Sequence, residues 1–272
     1  FEDVPKIDIS QIMNYEVMKH NLITQLIPVA GNEDMLANIP HKQIEDLALV
    51  YRFSVGRDEH GQSTILVKND MLDRYGITAE QLHEDAMMSA PQIEAPSMKT
   101  LFETTAEIMG EDFFELMGEV EPAMPGVYVC TNESKHHGAS VLMYPDFMDE
   151  VADKLGGDFY IIPSSIHETL LFPAKDVENY HDLEAMVREV NETQVAPEER
   201  LSDNVYHYDA EAKVFELAQH HEERMADMEK DSGDRGEKAS VLKDLTAKSK
   251  EVAEKAPKEH AAPKKSRAEE AL

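Results

Sequence analysis

Side chains able to act as nucleophiles, acids or bases are concentrated between Cys130 and Glu168. A hydrolase or transferase could be built from this cluster in two ways. In one, Cys130 attacks and His136 or His167 is the base. In the other, Ser165 is paired with His167. Neither arrangement is specific enough to assign a catalytic role, and the candidates are Cys130, His136, Ser165, His167 and Glu168.

The local sequence favours a structural interpretation of the same residues. Cys130 ends a Val-Tyr-Val segment, where a lone cysteine is usually a small buried hydrophobe. Ser165 and His167 are two positions apart, too close to face each other on one strand without an unusual turn. Residues 163–168 are therefore interpreted as a turn in which Ser164 or Ser165 bonds backbone amides. His167 is then expected to be partly buried against the neighbouring strand with a fixed partner.

The histidines do not follow a metal-binding pattern. Adjacent histidines diverge on a strand, and no H-x-x-x-H or H-E-x-x-H helix presents two imidazoles to one ion. A glycine-rich phosphate loop is also missing from the sequence, because Gly156 and Gly157 end a helix instead of opening one. The sequence therefore predicts no metal and no cofactor. The histidines considered for an ion are His136, His137, His167, His181 and His207.

The charge of the chain restricts its partners. The 272 residues include 55 Asp and Glu against 26 Lys and Arg, a net charge of −29. Ten of the basic and nine of the acidic residues lie in 231–272, which leaves 16 basic and 46 acidic residues, a net of −30, in residues 1–230. Neutralising phosphates requires clustered Lys and Arg, so direct nucleic-acid binding by this acidic part is not expected. The expected partner is another protein, and a basic one fits the charge.

Further features of the sequence indicate the cellular compartment. A single cysteine excludes an internal disulfide framework, and no signal-peptide pattern is present. No apolar run approaches the roughly 18 residues of a membrane helix. A cytoplasmic protein without a membrane partner is therefore expected. Because the chain opens at Phe1 and not at Met, we also expect a fragment or a processed product.

Apolar periodicity predicts helices and short hairpins. The predicted helices span residues 9–27, 78–89, 99–110, 146–155 and 176–193. The predicted strands span residues 47–55, 64–67, 127–130, 139–144, 158–162, 168–172, 205–208 and 213–217. Hairpins outnumber strand–helix–strand units, so the expected fold class is α+β, with a mostly antiparallel sheet and packed helices. The core is expected to include Leu49, Tyr51, Phe53, Ile65, Val67, Val129, Val141, Met143, Leu155, Tyr160, Ile162 and Leu171.

Three parts are expected along the chain: an α+β body in residues 1–217, a helical extension in 218–230, and a Lys/Glu/Ala-rich tail in 231–272. No aromatic residue follows Phe215, so the tail lacks the side chains that offset ordering entropy and is expected to be disordered. Residues 64–73 and 140–149 align without gaps. Each reads as a strand running into a helix capped by an aspartate, Asp70 or Asp146. The alignment suggests two similar strand–helix units, 1–110 and 120–217.

Three segments carry a resemblance to a known family: residues 40–53, 138–144 and 158–168. Together they resemble an uncharacterised bacterial family, domain of unknown function number 5688, over about residues 4–217. The Pro-Ser-Ser-x-His-Glu turn at 163–168 is the most specific part of the match. Residues 239–245 are similar to tails on proteins of bacterial conjugative elements, which implies a mobile-element setting. The resemblance supplies no catalytic residue.

Three functions of different classes follow from these patterns. The favoured hypothesis is a non-enzymatic cytoplasmic accessory protein that binds another protein of a bacterial mobile element. The second is a hydrolase or transferase that uses the Cys130–Glu168 cluster, which requires at least three of its side chains to converge in a cleft. The third is an acidic decoy that mimics DNA, which requires carboxylates arrayed along one surface at phosphate-like spacing.

Overall fold

The computed structural model describes residues 12–58, 61–110, 126–163, 165–228 and 230. These residues form two antiparallel sheets with helices packed on them, so the predicted α+β class is confirmed. The chain divides into two units after His221, and the sheets belong to the first. Residues 218–228 are helical, and the predicted disordered tail, 231–272, lies outside the described residues. No helix of the described ranges is long and apolar enough to cross a bilayer.

The first sheet is built around one long strand. Strand β3 (Leu47–Asp58) begins with the apolar run that predicts it, and β1 (Leu22–Pro28) pairs with its first half. On the other side of β3, β2 (His41–Ile44) pairs with the first half and β4 (Gly61–Leu66) with the second half. A bulge between Ser54 and Gly56 marks the change of register.

The second sheet has six strands in the order β10-β9-β7-β8-β6-β5, all antiparallel. The predicted hairpins at 158–172 and 205–217 are both present. The strands are β5 (Pro96–Thr100), β6 (Tyr128–Asn132), β7 (Phe159–Ile162), β8 (Thr169–Pro173), β9 (Tyr206–Asp209) and β10 (Val214–Leu217).

Most of the helices lie in the connections between strands. Thr78 caps the helix predicted at 78–89, since its hydroxyl accepts the N–H of Gln81 at 3.1 Å. That helix continues past the predicted end and accommodates Pro91 in its last turns. The α-helices are α1 (Tyr15–Met18), α2 (Glu33–Leu36), α3 (Asn69–Tyr75), α4 (Ala79–Ile93), α5 (Leu101–Met109), α6 (Phe147–Leu155) and α7 (Tyr180–Thr193). Short 3₁₀ helices span Lys19–Asn21, Gly138–Met143 and Ala174–Asp176.

One main core joins the two sheets. Nine of the twelve predicted core residues are buried, and Ile65, Met143 and Tyr160 are half-buried against core clusters. Polar hydrogen bonds also link the turn between β2 and β3 to β9 and the residues just before it. Asp46, in the turn between β2 and β3, accepts hydrogen bonds from Ser202 at 2.8 Å and Asn204 at 3.0 Å, and from the hydroxyl of buried Tyr206.

Two predicted elements are wrong. The described part of the predicted 9–27 helix holds only the short α1, the Lys19–Asn21 3₁₀ turn and strand β1, whose first six residues are all buried. Residues 22–27, Leu-Ile-Thr-Gln-Leu-Ile, are buried on both faces and show no alternation, so their pattern fits a strand as well as a helix. The predicted strand at 139–144 is instead the Gly138–Met143 3₁₀ helix. Its Ser140 hydroxyl donates to the carbonyl of Thr24 in β1 at 3.0 Å.

The aligned segments 64–73 and 140–149 therefore differ in backbone structure. The first contains the end of strand β4, whereas the second begins in a 3₁₀ helix. Of the two predicted aspartate caps, Asp70 is wrong, and Asp146 is at the predicted position but without the predicted capping bond. Helix α3 begins after Lys68, which puts Asp70 in its first turn. Asp146 occupies the N-cap position of α6 with a φ of 60°, but its side chain makes no capping hydrogen bond among the described residues.

Candidate functional site

The candidate residues lie where the end of β6 meets the start of β8. Because these strands are antiparallel and pair Cys130 with Thr169, the loop after β6 and the turn before β8 are neighbours. The loop carries His136 and His137, and the turn carries His167. Strand pairing therefore brings together imidazoles that are 30 residues apart in the sequence.

The three imidazoles form a compact group, called here the histidine cluster (His136, His137 and His167). The ring centroids of His136 and His137 are 4.0 Å apart. His167 lies 5.1 Å from the first ring and 5.4 Å from the second, stacked on the latter. Two of the sequence candidates, His136 and His167, are thus in contact, and His137 joins them.

His167 has a polar neighbour at each ring nitrogen. Its Nδ1 accepts the backbone N–H of His137 at 3.1 Å, and its Nε2 lies 3.6 Å from a carboxylate oxygen of Glu199. An Nδ1 that accepts carries no proton, so the neutral ring is protonated at Nε2. The side chain is 24% exposed. The prediction that His167 is partly buried with a fixed partner is confirmed.

The turn before β8 is held by hydroxyl groups. Ser165 Oγ accepts the backbone N–H of His167 at 3.1 Å and that of Glu168 at 3.3 Å. Thr131 in β6 donates its hydroxyl to the carbonyl of His167 at 2.7 Å. The predicted role is confirmed for Ser165, whereas Ser164 lies outside the described residues. Glu168 is exposed beside this turn.

Buried Asn132 organises the loop after β6. Its amide nitrogen donates to the carbonyl of His136 at 2.9 Å, and its amide oxygen accepts the backbone N–H of His136 at 3.2 Å. The hydroxyl of Ser134 donates to the carboxylate of buried Glu94 at 2.7 Å and lies 3.0 Å from the same amide oxygen. At Gly138 a Cβ would collide with Thr131 Oγ1 and lie 2.6 Å from backbone atoms of Asn132 and His167. The loop is therefore closely packed, and only glycine fits at position 138 without displacing its neighbours.

Cys130 does not belong to the histidine cluster. It is fully buried in β6, and burial raises the pKa of its thiol to about 12. The reactive form of cysteine is the thiolate, which this environment suppresses at neutral pH. The location matches the buried hydrophobe that the Val-Tyr-Val context suggests.

His137 is the most strongly perturbed member of the cluster. Burial, with smaller contributions from the neighbouring His136, His167 and Arg52, lowers the pKa of His137 to about 3. The ring is therefore neutral at physiological pH. Its Nδ1 is buried and has no hydrogen-bond partner among the described residues. Protonating His137 would place a poorly solvated cation beside two other imidazoles and the guanidinium of Arg52.

The remaining histidines considered for a metal lie elsewhere. His181 is exposed at the start of α7, where its Nδ1 lies 3.2 Å from Glu184. His207 is buried in β9 and stacks on His221 with centroids 3.7 Å apart. Within the described ranges, no group of three or more His, Cys, Asp or Glu side chains is arranged to hold a metal ion.

Sequence reasoning missed three residues that support the cluster. Asn132 carried a usable signal, since an asparagine at the end of an apolar strand typically begins a turn. Glu94 and Glu199 carried none, because both reach the site from distant segments. Glu199 is positioned by its own carbonyl, which accepts the backbone N–H of Ile166 at 2.9 Å.

The fold and the site define a class: an α+β protein with two antiparallel sheets and a hydrogen-bonded histidine cluster at the β6–β8 junction. The chain belongs to the family of unknown function DUF5688, whose model matches residues 2–210. The match includes the whole cluster and the Pro-Ser-Ser-x-His-Glu turn, and it confirms the resemblance seen in the sequence. Comparisons with curated proteins and with solved structures yield no match.

Proposed function

We propose that this chain is a non-enzymatic accessory protein that binds a basic partner protein in the cytoplasm of a bacterium carrying a mobile element. The observation that carries the proposal is the charge of residues 1–230, in which 46 acidic residues face 16 basic ones. With one-to-one pairing, only 16 of the 46 carboxylates can pair with a lysine or arginine. The rest produce a negative field that attracts basic surfaces and speeds their association.

The geometry of the candidate site supports binding over catalysis. A histidine that acts as a general base needs one ring nitrogen directed at the proton it removes. The Nδ1 of His167 accepts a backbone N–H, and its Nε2, which carries the proton of the neutral ring, lies 3.6 Å from Glu199. Ser165 Oγ already accepts two backbone N–H groups, and Cys130 is fully buried, which raises the pKa of its thiol. The alternative of a hydrolase or transferase therefore has less support than a scaffold held together by these residues.

The first experiment is capture from the native cell with the tagged full chain, followed by purification of the captured protein and direct titration calorimetry. We expect a partner with an excess of Lys and Arg that also binds residues 1–230. A matched full chain with His167→Asn should capture the same partner. If the purified chain instead turned over an ester, peptide or nucleotide substrate and His167→Asn abolished the turnover, the enzyme alternative would replace this proposal.

A further inference from the structure

An arginine without a carboxylate partner lies in the first sheet, on the face that points away from the main core. Arg52 stands in β3 between Tyr51 and Phe53, which belong to the main core, so its side chain points to the opposite face. Among the described residues, no carboxylate oxygen lies within 4 Å of its guanidinium. This is unexpected in residues 1–230, where 46 acidic residues outnumber 16 basic ones. The side chain is half-buried, and a partly buried cation without a counter-ion costs folding free energy.

The guanidinium is held by two polar side chains, which leave some of its donors free. Arg52 Nε donates to Thr64 Oγ1 at 2.7 Å, and Nη1 donates to Gln25 Oε1 at 3.4 Å. Nη2 and the amide nitrogen of Gln25 have no hydrogen-bond partner among the described residues. Both atoms have solvent-accessible surface, since neither is among the buried atoms that lack a partner. Two accessible donor groups, on β3 and β1, therefore lie side by side.

The histidine cluster is close to this guanidinium. The 3₁₀ helix after His137 is anchored on β1, since Ser140 donates its hydroxyl to the carbonyl of Thr24 at 3.0 Å. Thr24 precedes Gln25 in this strand. The positive charge of Arg52 is one of the causes that lower the pKa of His137, which places the two groups in one electrostatic environment. No carboxylate of the described residues shifts the pKa of either group, so this environment lacks a compensating negative charge.

A cleft on the same face gives a ligand room beside Arg52. Leu66, which pairs with Arg52 across β3 and β4, lines a cleft of about 640 Å³ together with Lys68. Lys68 is exposed and has no carboxylate within 4 Å among the described residues. Asp70 also lines this cleft, but its carboxylate is paired with Arg74 at 2.9 Å. The charges that lack a partner here, those of Arg52 and Lys68, are therefore both positive.

We propose that Arg52 binds a phosphate group, either as the free ion or at the end of a small ester, a function separate from the recognition of a basic partner. The planar guanidinium matches phosphate oxygens well, and its bond to Thr64 fixes its orientation. A phosphate at Nη2 also accepts from the amide nitrogen of Gln25. Its negative charge offsets that of the half-buried guanidinium and attracts Lys68, and the organic part of an ester lies in the cleft beside Leu66.

The test is a calorimetric titration of the full chain with inorganic phosphate, methyl phosphate and acetate, each at an ionic strength kept constant with sodium chloride. Constant ionic strength removes differences in the screening of the acidic residues. We expect at least one of the two phosphates to bind saturably, with a dissociation constant of about 1 mM or below, and acetate to bind at least about tenfold more weakly. Binding of methyl phosphate at similar strength points to an ester as the natural ligand, and binding of inorganic phosphate alone to the free ion. No saturable binding of either phosphate, or equal binding of acetate, would overturn the proposal.

Variants separate this site from a general charge effect. Arg52→Lys keeps the positive charge but loses Nη2, and it should weaken phosphate binding about tenfold. Arg188→Lys on α7, where the arginine side chain is 57% exposed, is the matched control and should leave the affinity unchanged. Gln25→Glu places a carboxylate beside the guanidinium, so it should abolish phosphate binding without lowering the thermal midpoint. A phosphate affinity equal to that of the parent in Arg52→Lys or Gln25→Glu would overturn the site, and so would a lower midpoint of Gln25→Glu.

Discussion

The backbone N–H of His137 donates to Nδ1 of His167 at 3.1 Å, across a gap of 30 residues in the chain. This bond joins the loop after β6 to the turn before β8 and fixes the tautomer of the acceptor ring. Together with the Thr131 hydroxyl bond to the carbonyl of His167, it makes the histidine a structural link between two strands.

Truncating His167 should therefore reduce stability. His167→Ala leaves the N–H of His137 without its acceptor, and we expect the free energy of unfolding to fall by roughly 1–3 kcal/mol. Urea denaturation measures the change. His181→Ala, at a 58%-exposed imidazole on α7, is the control and should change stability by less than about 0.5 kcal/mol. A His167→Ala protein as stable as the parent would show that the link carries no free energy.

The packing at Gly138 gives a second prediction. A Cβ there would meet Thr131 Oγ1 and would lie 2.6 Å from backbone atoms of Asn132 and His167, which cannot move aside cheaply. Gly138→Ala should therefore lower the free energy of unfolding by about 1–3 kcal/mol or more. Gly56→Ala is the matched control, because a Cβ at Gly56 meets no described atom within 4 Å. Equal stability of the two variants would contradict the described packing of the loop.

Two buried histidines predict how stability depends on pH. Burial is the main cause that lowers the pKa of His207 to about 4 and that of His137 to about 3, from an ordinary value of 6.5. In the unfolded chain both rings take up a proton below pH 6.5, whereas in the folded chain they stay neutral until pH falls much lower. Their contribution to the free energy of unfolding is therefore complete above pH 6.5. It is lost as pH falls, by up to about 1.4 kcal/mol per pH unit for each ring.

Denaturation midpoints measured between pH about 7 and about 5 test this dependence. The parent should lose stability steadily over this interval. His207→Gln, which removes a ring that faces Asp158, His221 and Tyr160, should show a shallower slope. A parent midpoint that stayed constant, or an unchanged slope in the variant, would mean that His207 is not held neutral by burial.

The surplus of carboxylates predicts the response of stability to salt. Residues 1–230 carry a net charge of −30, so most acidic side chains repel one another. This repulsion is screened over a Debye length of about 10 Å at about 0.1 M salt. The thermal midpoint should therefore rise from low to physiological sodium chloride. A midpoint that fell would show that the carboxylates are engaged mainly in favourable pairs and helix caps.

Much of the fold could be predicted because its elements follow from local patterns. The apolar run at Leu47 and the short connections at 163–167 and 209–212 indicate three hairpins, β3–β4, β7–β8 and β9–β10, before any tertiary contact is considered. The predictions failed for segments buried on both faces, because such segments show no alternation of apolar and polar residues. Residues 22–27 are buried on both faces of β1, and residues 138–143 are packed under it, so neither segment shows an alternation.

The candidate site could be predicted only in part. The serine–backbone turn depends on residues within three positions of each other, and the sequence alone was sufficient for Ser165. The meeting of His136 and His137 with His167 depends on which strands pair, and the pairing of β6 with β8 has no local signature. Glu199 enters from the segment between α7 and β9, so its approach to His167 follows from the completed fold.

The most direct test of the proposed function is the affinity of the purified full chain for its captured partner, measured by calorimetry at low and at high sodium chloride. Unpaired surface carboxylates that recruit a basic protein predict a dissociation constant that rises steeply with salt and an association rate that falls. The same chain should show no comparable affinity for an acidic protein of similar size. An affinity that stays constant or strengthens as salt is added would contradict the account, because recognition would then not depend on the negative charge of the chain.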